Sequence, residues 1–248
     1  ASFETMRKQP LANSTAPALY FNPLPHGFVP DQTQKPFNWG LPKQVDLPKR
    51  DVDIAFLSVG ELSVLIKNKQ LSSERLTKIY LDRIERYADT LQCLITLMKE
   101  EAMAKAKAMD AELAQGKYRG PLHGIPYGIK DLLAVKGTKT TWGATPYKDQ
   151  VIDETATVVE KLDAAGAVLV GKFTLGALAM GDVWYGGVTK NPWNLTQGSS
   201  GSSAGSGSAV SAGLVPFAIG TETLGSIVSP STRNGVTGLR PTFGRVSR

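Results

Sequence analysis

A chain of 248 residues with 42% apolar and 20% charged residues has the make-up of an ordinary globular protein and the length to bury a sizeable core. Its net charge of +6 is spread out, with Lys43, Lys49, Arg50, Lys67, Lys69, Lys105 and Lys107 interleaved with acids or on predicted helix faces, so nucleic acid is not expected as a partner. No apolar run approaches about 18 residues, so no membrane-spanning helix is expected, and one cysteine with two histidines excludes an internal disulfide and makes a zinc site of the usual ligands a poor fit.

Residues 1–50 are rich in Pro, Asn, Gln and Lys with little periodicity and read as an extended arm, with Phe21, Phe28, Phe37 and Trp39 as its anchors. The start at Ala1 leaves a removed signal peptide and a trimmed start both open, so cytoplasmic and exported locations stay open too. Ser58-Val59-Gly60-Glu61 is a capping box that opens a short helix over Leu62, Leu65 and Ile66. Ser72 caps a longer helix whose Leu76, Ile79, Tyr80, Ile84 and Tyr87 form one apolar stripe. Cys93 lies in an apolar run and reads as a buried, inert thiol. Leu94–Met98 reads as a strand, and residues 100–115 as a helix stopped at Gly116.

From residue 120 the texture changes. Gly124–Lys130 reads as a short strand, Thr155–Ala165 as a helix, Ala167–Val170 as a strand, Ser206–Ala212 as a helix and Pro216–Gly220 as a strand. Helices alternating with short apolar strands predict an α/β fold, a sheet covered by helices on both faces.

The stretch Gly198–Ser206 offers hydroxyls and uncluttered amides, and Gly220-Thr221-Glu222-Thr223-Leu224-Gly225-Ser226-Ile227 offers more. These are the materials of a serine nucleophile and an oxyanion hole; a flexible linker would not run at once into Ala209-Val210 and Leu214-Val215. Such a nucleophile needs a base. His26 lies in the arm, and His123, in Pro121-Leu122-His123-Gly124, reads as a loop or supporting residue rather than a base. Lys130 remains. It serves only if burial keeps it neutral; the competing reading is a strand-end lysine paired with Asp131 in water, and the residues alone leave both open.

Gly124-Ile125-Pro126 with Lys130-Asp131, Gly201–Ser206, Gly213–Pro216, Asn191-Pro192-Trp193, Gly220–Ile227 and Gly238–Ser247 together resemble the amidase signature family, in its order and over residues 54–248. The resemblance implies a mixed, twisted sheet with helices on both faces, and amide C–N hydrolysis by a Ser–cis-Ser–Lys triad without metal or cofactor. Carried over by motif, Lys130 is the base, Ser202 the bridging serine on a cis peptide and Ser226 the nucleophile. Amides of Thr223, Leu224 and Gly225 would form the oxyanion hole. Met180 and Gly181 are candidate substrate contacts, while Trp184 and Tyr185 read equally as pocket wall or core.

Three departures from the family pattern stand out: Leu224 in place of a glycine, Glu222 in place of an aspartate, and Val228 in place of an arginine. The side chain of Leu224 would narrow the approach unless it points away, and the missing arginine suggests a less polar surround. Family members commonly have twice this length. Residues 51–248 are therefore expected to form the N-terminal portion of the signature core, completed by the remainder of the polypeptide or a second chain. The expected partner is a small apolar or aryl amide. The alternatives are the glutamine-hydrolysing A subunit of a tRNA-dependent amidotransferase and a non-catalytic binding protein that keeps the fold.

Overall fold

In the computed structural model, residues 2–12, 15, 24, 26–33 and 35–247 are described. In chain order the elements are α1 (Phe3–Arg7), α2 (Asp51–Ile54), α3 (Val59–Lys67), α4 (Ser73–Leu91), β1 (Leu94–Leu97), α5 (Lys99–Ala114), β2 (Pro126–Lys130), α6 (Thr157–Ala164), β3 (Val168–Phe173), β4 (Val183–Trp184), β5 (Gly187–Val188), β6 (Lys190–Asn191), β7 (Asn194–Gly198), α7 (Ala204–Ser211), β8 (Ala218–Ile219) and α8 (Val228–Asn234). The chain divides into two compact units, Asn38–Arg240 and the combination of residues 1–37 with 241–248. In the smaller unit Ser2 caps α1, a helical turn within the segment read as extended. Phe28 and Phe37 there, like Trp39 in the larger unit, are exposed rather than buried; Phe21 lies outside the described residues.

The larger unit is built as its local signals dictate. Ser58 Oγ accepts from Glu61 N while Glu61 accepts from Ser58 N, the reciprocal capping box that opens α3. Ser72 Oγ accepts from Arg75 N to open α4. Gly116, with φ of 84°, follows the C-cap of α5.

The sheet order is β1-β3-β2-β8, with β2 parallel to both β3 and β8 and β1 antiparallel to β3. Val168 and Val170 of β3 pack with Ile84 of α4, Ala102 and Ala106 of α5 and Ala209 of α7. Tyr127 and Ile129 of β2, with Leu169 of β3, join Val159 of α6 in a separate cluster. Alternate strand residues therefore reach opposite faces, each covered by helix. A third cluster lies under α3 and α4 around Leu62, Leu65, Leu76 and Tyr80.

α7 is short and almost wholly buried. A side chain at Gly205 would strike Thr174 N and Cys93 O, so only glycine lets this helix lie against the ends of β1 and β3. At its other end, Arg83 of α4 donates to the carbonyls of Gly213 and Ala212 at 2.7 Å each. The helix that follows the Gly/Ser loop is thus fixed along its length. Among the described residues no helix is long and apolar enough to cross a membrane.

Candidate active site

Parallel strands β2 and β8 run in register, Ile129 opposite Ile219, so Lys130 at the end of one lies beside Gly220-Thr221 after the other. The loop into α7 reaches the same edge of the sheet. Carboxyl ends of neighbouring parallel strands are where α/β folds commonly hold their ligands.

Lys130 is fully buried. Its Nζ donates to Ser202 Oγ at 2.7 Å and to Thr221 Oγ1 at 2.9 Å, with Thr221 O at 3.5 Å. Ser202 Oγ in turn donates to Ser226 Oγ at 3.2 Å. The peptide between Gly201 and Ser202 is cis. Burial disfavours the ammonium and draws the Lys130 pKa down to about 8. Of the two readings left open for this lysine, burial is the one the structure bears out.

Asp131 is not its partner. Adjacent strand residues point to opposite faces, and Asp131 forms a fully buried ion pair with Lys172 at 2.8 Å. Its other oxygen accepts from Thr141 N at 2.7 Å and from Thr141 Oγ1 at 2.6 Å. Lys172 Nζ also donates to Thr140 Oγ1 at 2.8 Å and to Lys139 O. Burial lowers the Lys172 pKa and Asp131 opposes that shift. The pair ties the 139–141 segment to the ends of β2 and β3.

Two residues without an assigned role in the sequence hold the site together. Thr221 gives Lys130 its second acceptor. Ser203 donates from its amide to Ser226 O at 3.0 Å, donates from Oγ to Thr221 O at 3.1 Å and accepts from Thr221 N at 3.1 Å. Both lie within the Gly/Ser/Thr stretches, but nothing in their spacing distinguishes them from neighbouring hydroxyls.

The turn from Gly220 to Ile227 differs from expectation in two respects. Gly225 N donates to Glu222 Oε1 at 2.8 Å, so of the three amides expected to face an oxyanion this one is engaged. The amides of Thr223 and Leu224 have no hydrogen-bond partner among the described residues. Nor is the surround of Glu222 free of positive charge: Arg240 Nη1 lies 2.8 Å from its Oε1. Leu224 is 89% exposed. Val228 opens α8 and is partly exposed.

Gly181 backs directly onto Gly201, the residue before Ser202, its carbonyl oxygen occupying the place a Cβ on Gly201 would need. Met180 is exposed. The Trp184 and Tyr185 rings meet edge to face at 4.8 Å, neither fully buried. His123 is buried, and both ring nitrogens are engaged with backbone: Nε2 pairs with Met109 O at 2.9 Å and Nδ1 accepts from Arg119 N at 3.3 Å. Cys93 is fully buried and its thiol is pushed up to about 12. Among the described residues no group of three or more His, Cys, Asp or Glu side chains could hold a metal ion.

The family model for Amidase matches residues 75–248. The A-type component of the glutamyl-tRNA(Gln) amidotransferase of Geobacillus kaustophilus (strain HTA426) is 44% identical over 196 residues, covering 77% of this chain and 40% of that protein. Among solved structures, the peptide amidase from Stenotrophomonas maltophilia superposes with a TM-score of 0.72 at 40% identity, over 77% of this chain and 41% of its own. A fatty acid amide hydrolase gives a TM-score of 0.77 at 31% identity, over 81% and 36%. The chain thus spans about two fifths of the length of the curated relatives it matches.

Proposed function

The chain belongs to the amidase family, and from that premise we propose that the polypeptide carrying it hydrolyses the C–N bond of small apolar or aryl amides through an acyl-enzyme on Ser226. One observation carries the reading: the unbroken chain of polar atoms from buried Lys130 Nζ through Ser202 Oγ to Ser226 Oγ, at 2.7 and 3.2 Å.

Neutral Lys130 has two N–H groups and one lone pair. Thr221 Oγ1 and Thr221 O stand where the two N–H groups can be held, which leaves the lone pair for Ser202. A hydroxyl both donates and accepts, so Ser202 passes a proton onward as it takes one. In acylation, Ser226 Oγ bonds to the acyl carbon while its proton moves through Ser202 to Lys130. Lys130 returns that proton by the same route to the amine as the C–N bond breaks. Water then attacks the ester and the relay runs again, restoring the Ser226 hydroxyl. The amides of Thr223 and Leu224, unengaged and beside Ser226, are the candidate oxyanion donors; losing one such donor typically costs about 2.7–4 kcal/mol. Exposed Met180, Leu224 and Val228 support an apolar substrate.

The test is hydrolysis of a panel of aryl amides, primary alkyl amides and glutamine by the whole polypeptide, followed as arylamine or ammonia release. The expected result is turnover of aryl or alkyl amides that is lost in Ser226→Ala; turnover that survives the substitution overturns the reading. Identity of 44% to an amidotransferase component favours glutamine as a second reading. Glutamine turnover dependent on tRNA and an added partner protein, with aryl amides inert, would select it.

A further inference from the structure

The nucleophile turn is organised around one buried carboxylate. Glu222 has a side chain only 1% exposed. Its Oε1 accepts from Gly225 N at 2.8 Å and from Arg240 Nη1 at 2.8 Å. Its Oε2 accepts from Ile227 N at 2.7 Å and from Val228 N at 2.9 Å. The three amides bracket Ser226 on both sides. The Ser226 carbonyl is meanwhile held by Ser203 N.

We propose that Glu222, with Arg240 as its counter-ion, is a positioning residue that fixes the backbone on either side of Ser226 and so aims its hydroxyl at Ser202. This rests on the reading of Ser226 as nucleophile. An ionised carboxylate is acceptor-only, with about four lone-pair sites, and here it meets four donors. A neutral amide of the same shape would turn its own N–H groups against some of them. Arg240 offsets the charge that the turn buries, and its own side chain is 55% exposed, so it can be altered without disturbing the core. Burial pushes the Glu222 carboxyl up, but hydrogen bonds from the three amides and Arg240 outweigh it and hold the pKa below its ordinary value.

The experiment compares Glu222→Gln, Glu222→Asp, Arg240→Met and Ser226→Ala in the whole polypeptide. Active sites are titrated with a fluorophosphonate, and kcat and KM are measured on an amide that the wild type turns over. Glu222→Gln is expected to lower kcat and the labelling rate about a hundredfold, with KM within about twofold of wild type, because misaiming the nucleophile affects the step rather than the binding. Glu222→Asp keeps the charge and is expected to recover part of the loss. Arg240→Met is expected to lower kcat by roughly three- to tenfold and carries the test if Glu222→Gln does not fold. Wild-type kcat and labelling in both Glu222→Gln and Arg240→Met overturn the assignment. So does a loss confined to thermal stability, with kcat per titrated site unchanged. Labelling that persists in Ser226→Ala overturns the nucleophile reading instead, and is separately visible.

Discussion

Lys130 Nζ lies 2.7 Å from Ser202 Oγ, though the two residues are 72 positions apart. The contact exists because β2 delivers Lys130 to the sheet edge where the loop into α7 begins. Burial lowers the pKa of that lysine to about 8, and only the neutral amine can take a proton. kcat/KM is therefore expected to rise about tenfold per pH unit below about 8 and to level off above it. The folded state binds fewer protons at Lys130 than the unfolded chain between about 8 and the ordinary lysine value near 10.4. Stability gains a component that rises with pH through that window, and Lys130→Met removes it. A pH–rate profile flat from pH 6 to 9 contradicts the assignment.

Thr221 Oγ1 accepts from Lys130 at 2.9 Å. Thr221→Val removes an acceptor that favours the ammonium and leaves the amine less well oriented. The midpoint of the profile is expected to move to lower pH, and the plateau rate to fall roughly tenfold. An unchanged midpoint and plateau would show Thr221 to be a bystander.

The Asp131–Lys172 pair is fully buried. Lys172→Met strands a buried carboxylate and is expected to lower the unfolding free energy by about 3–5 kcal/mol. The double variant Asp131→Leu with Lys172→Met is expected to lose less than either single one, because it leaves no charge uncompensated. Urea denaturation of the three variants gives the comparison; additive losses would mean that the residues do not act as a pair.

Ser58→Ala removes one half of the capping box of α3. The expected cost is about 1 kcal/mol, within a range of about 0.5–2, with catalysis unaffected. Chemical denaturation and kcat measured on the same preparation check both parts.

What could be read in the sequence was what local rules govern. The Ser58 and Ser72 caps, the α4 stripe and the short strands from residue 120 follow from spacing and hydrogen-bonding chemistry, and all appear in the fold. Lys130, Ser202 and Ser226 came from the motif resemblance, and the fold brings them together. Pairing across the fold was not legible. Lys130 and Asp131 are neighbours in sequence, but strand alternation separates them, and Asp131 meets Lys172 only because β3 lies beside β2. Thr221 and Ser203 are single hydroxyls in stretches full of them. Their roles arise only when β8 closes against β2. The engagement of Gly225 N depends on where the Glu222 side chain turns, which the sequence leaves open.

The most direct measurement is mass-spectrometric mapping of the serine that a fluorophosphonate modifies in the intact polypeptide, run beside Lys130→Met. The expected result is a single adduct on the peptide containing Ser226, formed far more slowly in Lys130→Met near pH 8. An adduct on Ser202 or on any other residue, or labelling indifferent to Lys130, would contradict the relay from Lys130 through Ser202 to Ser226.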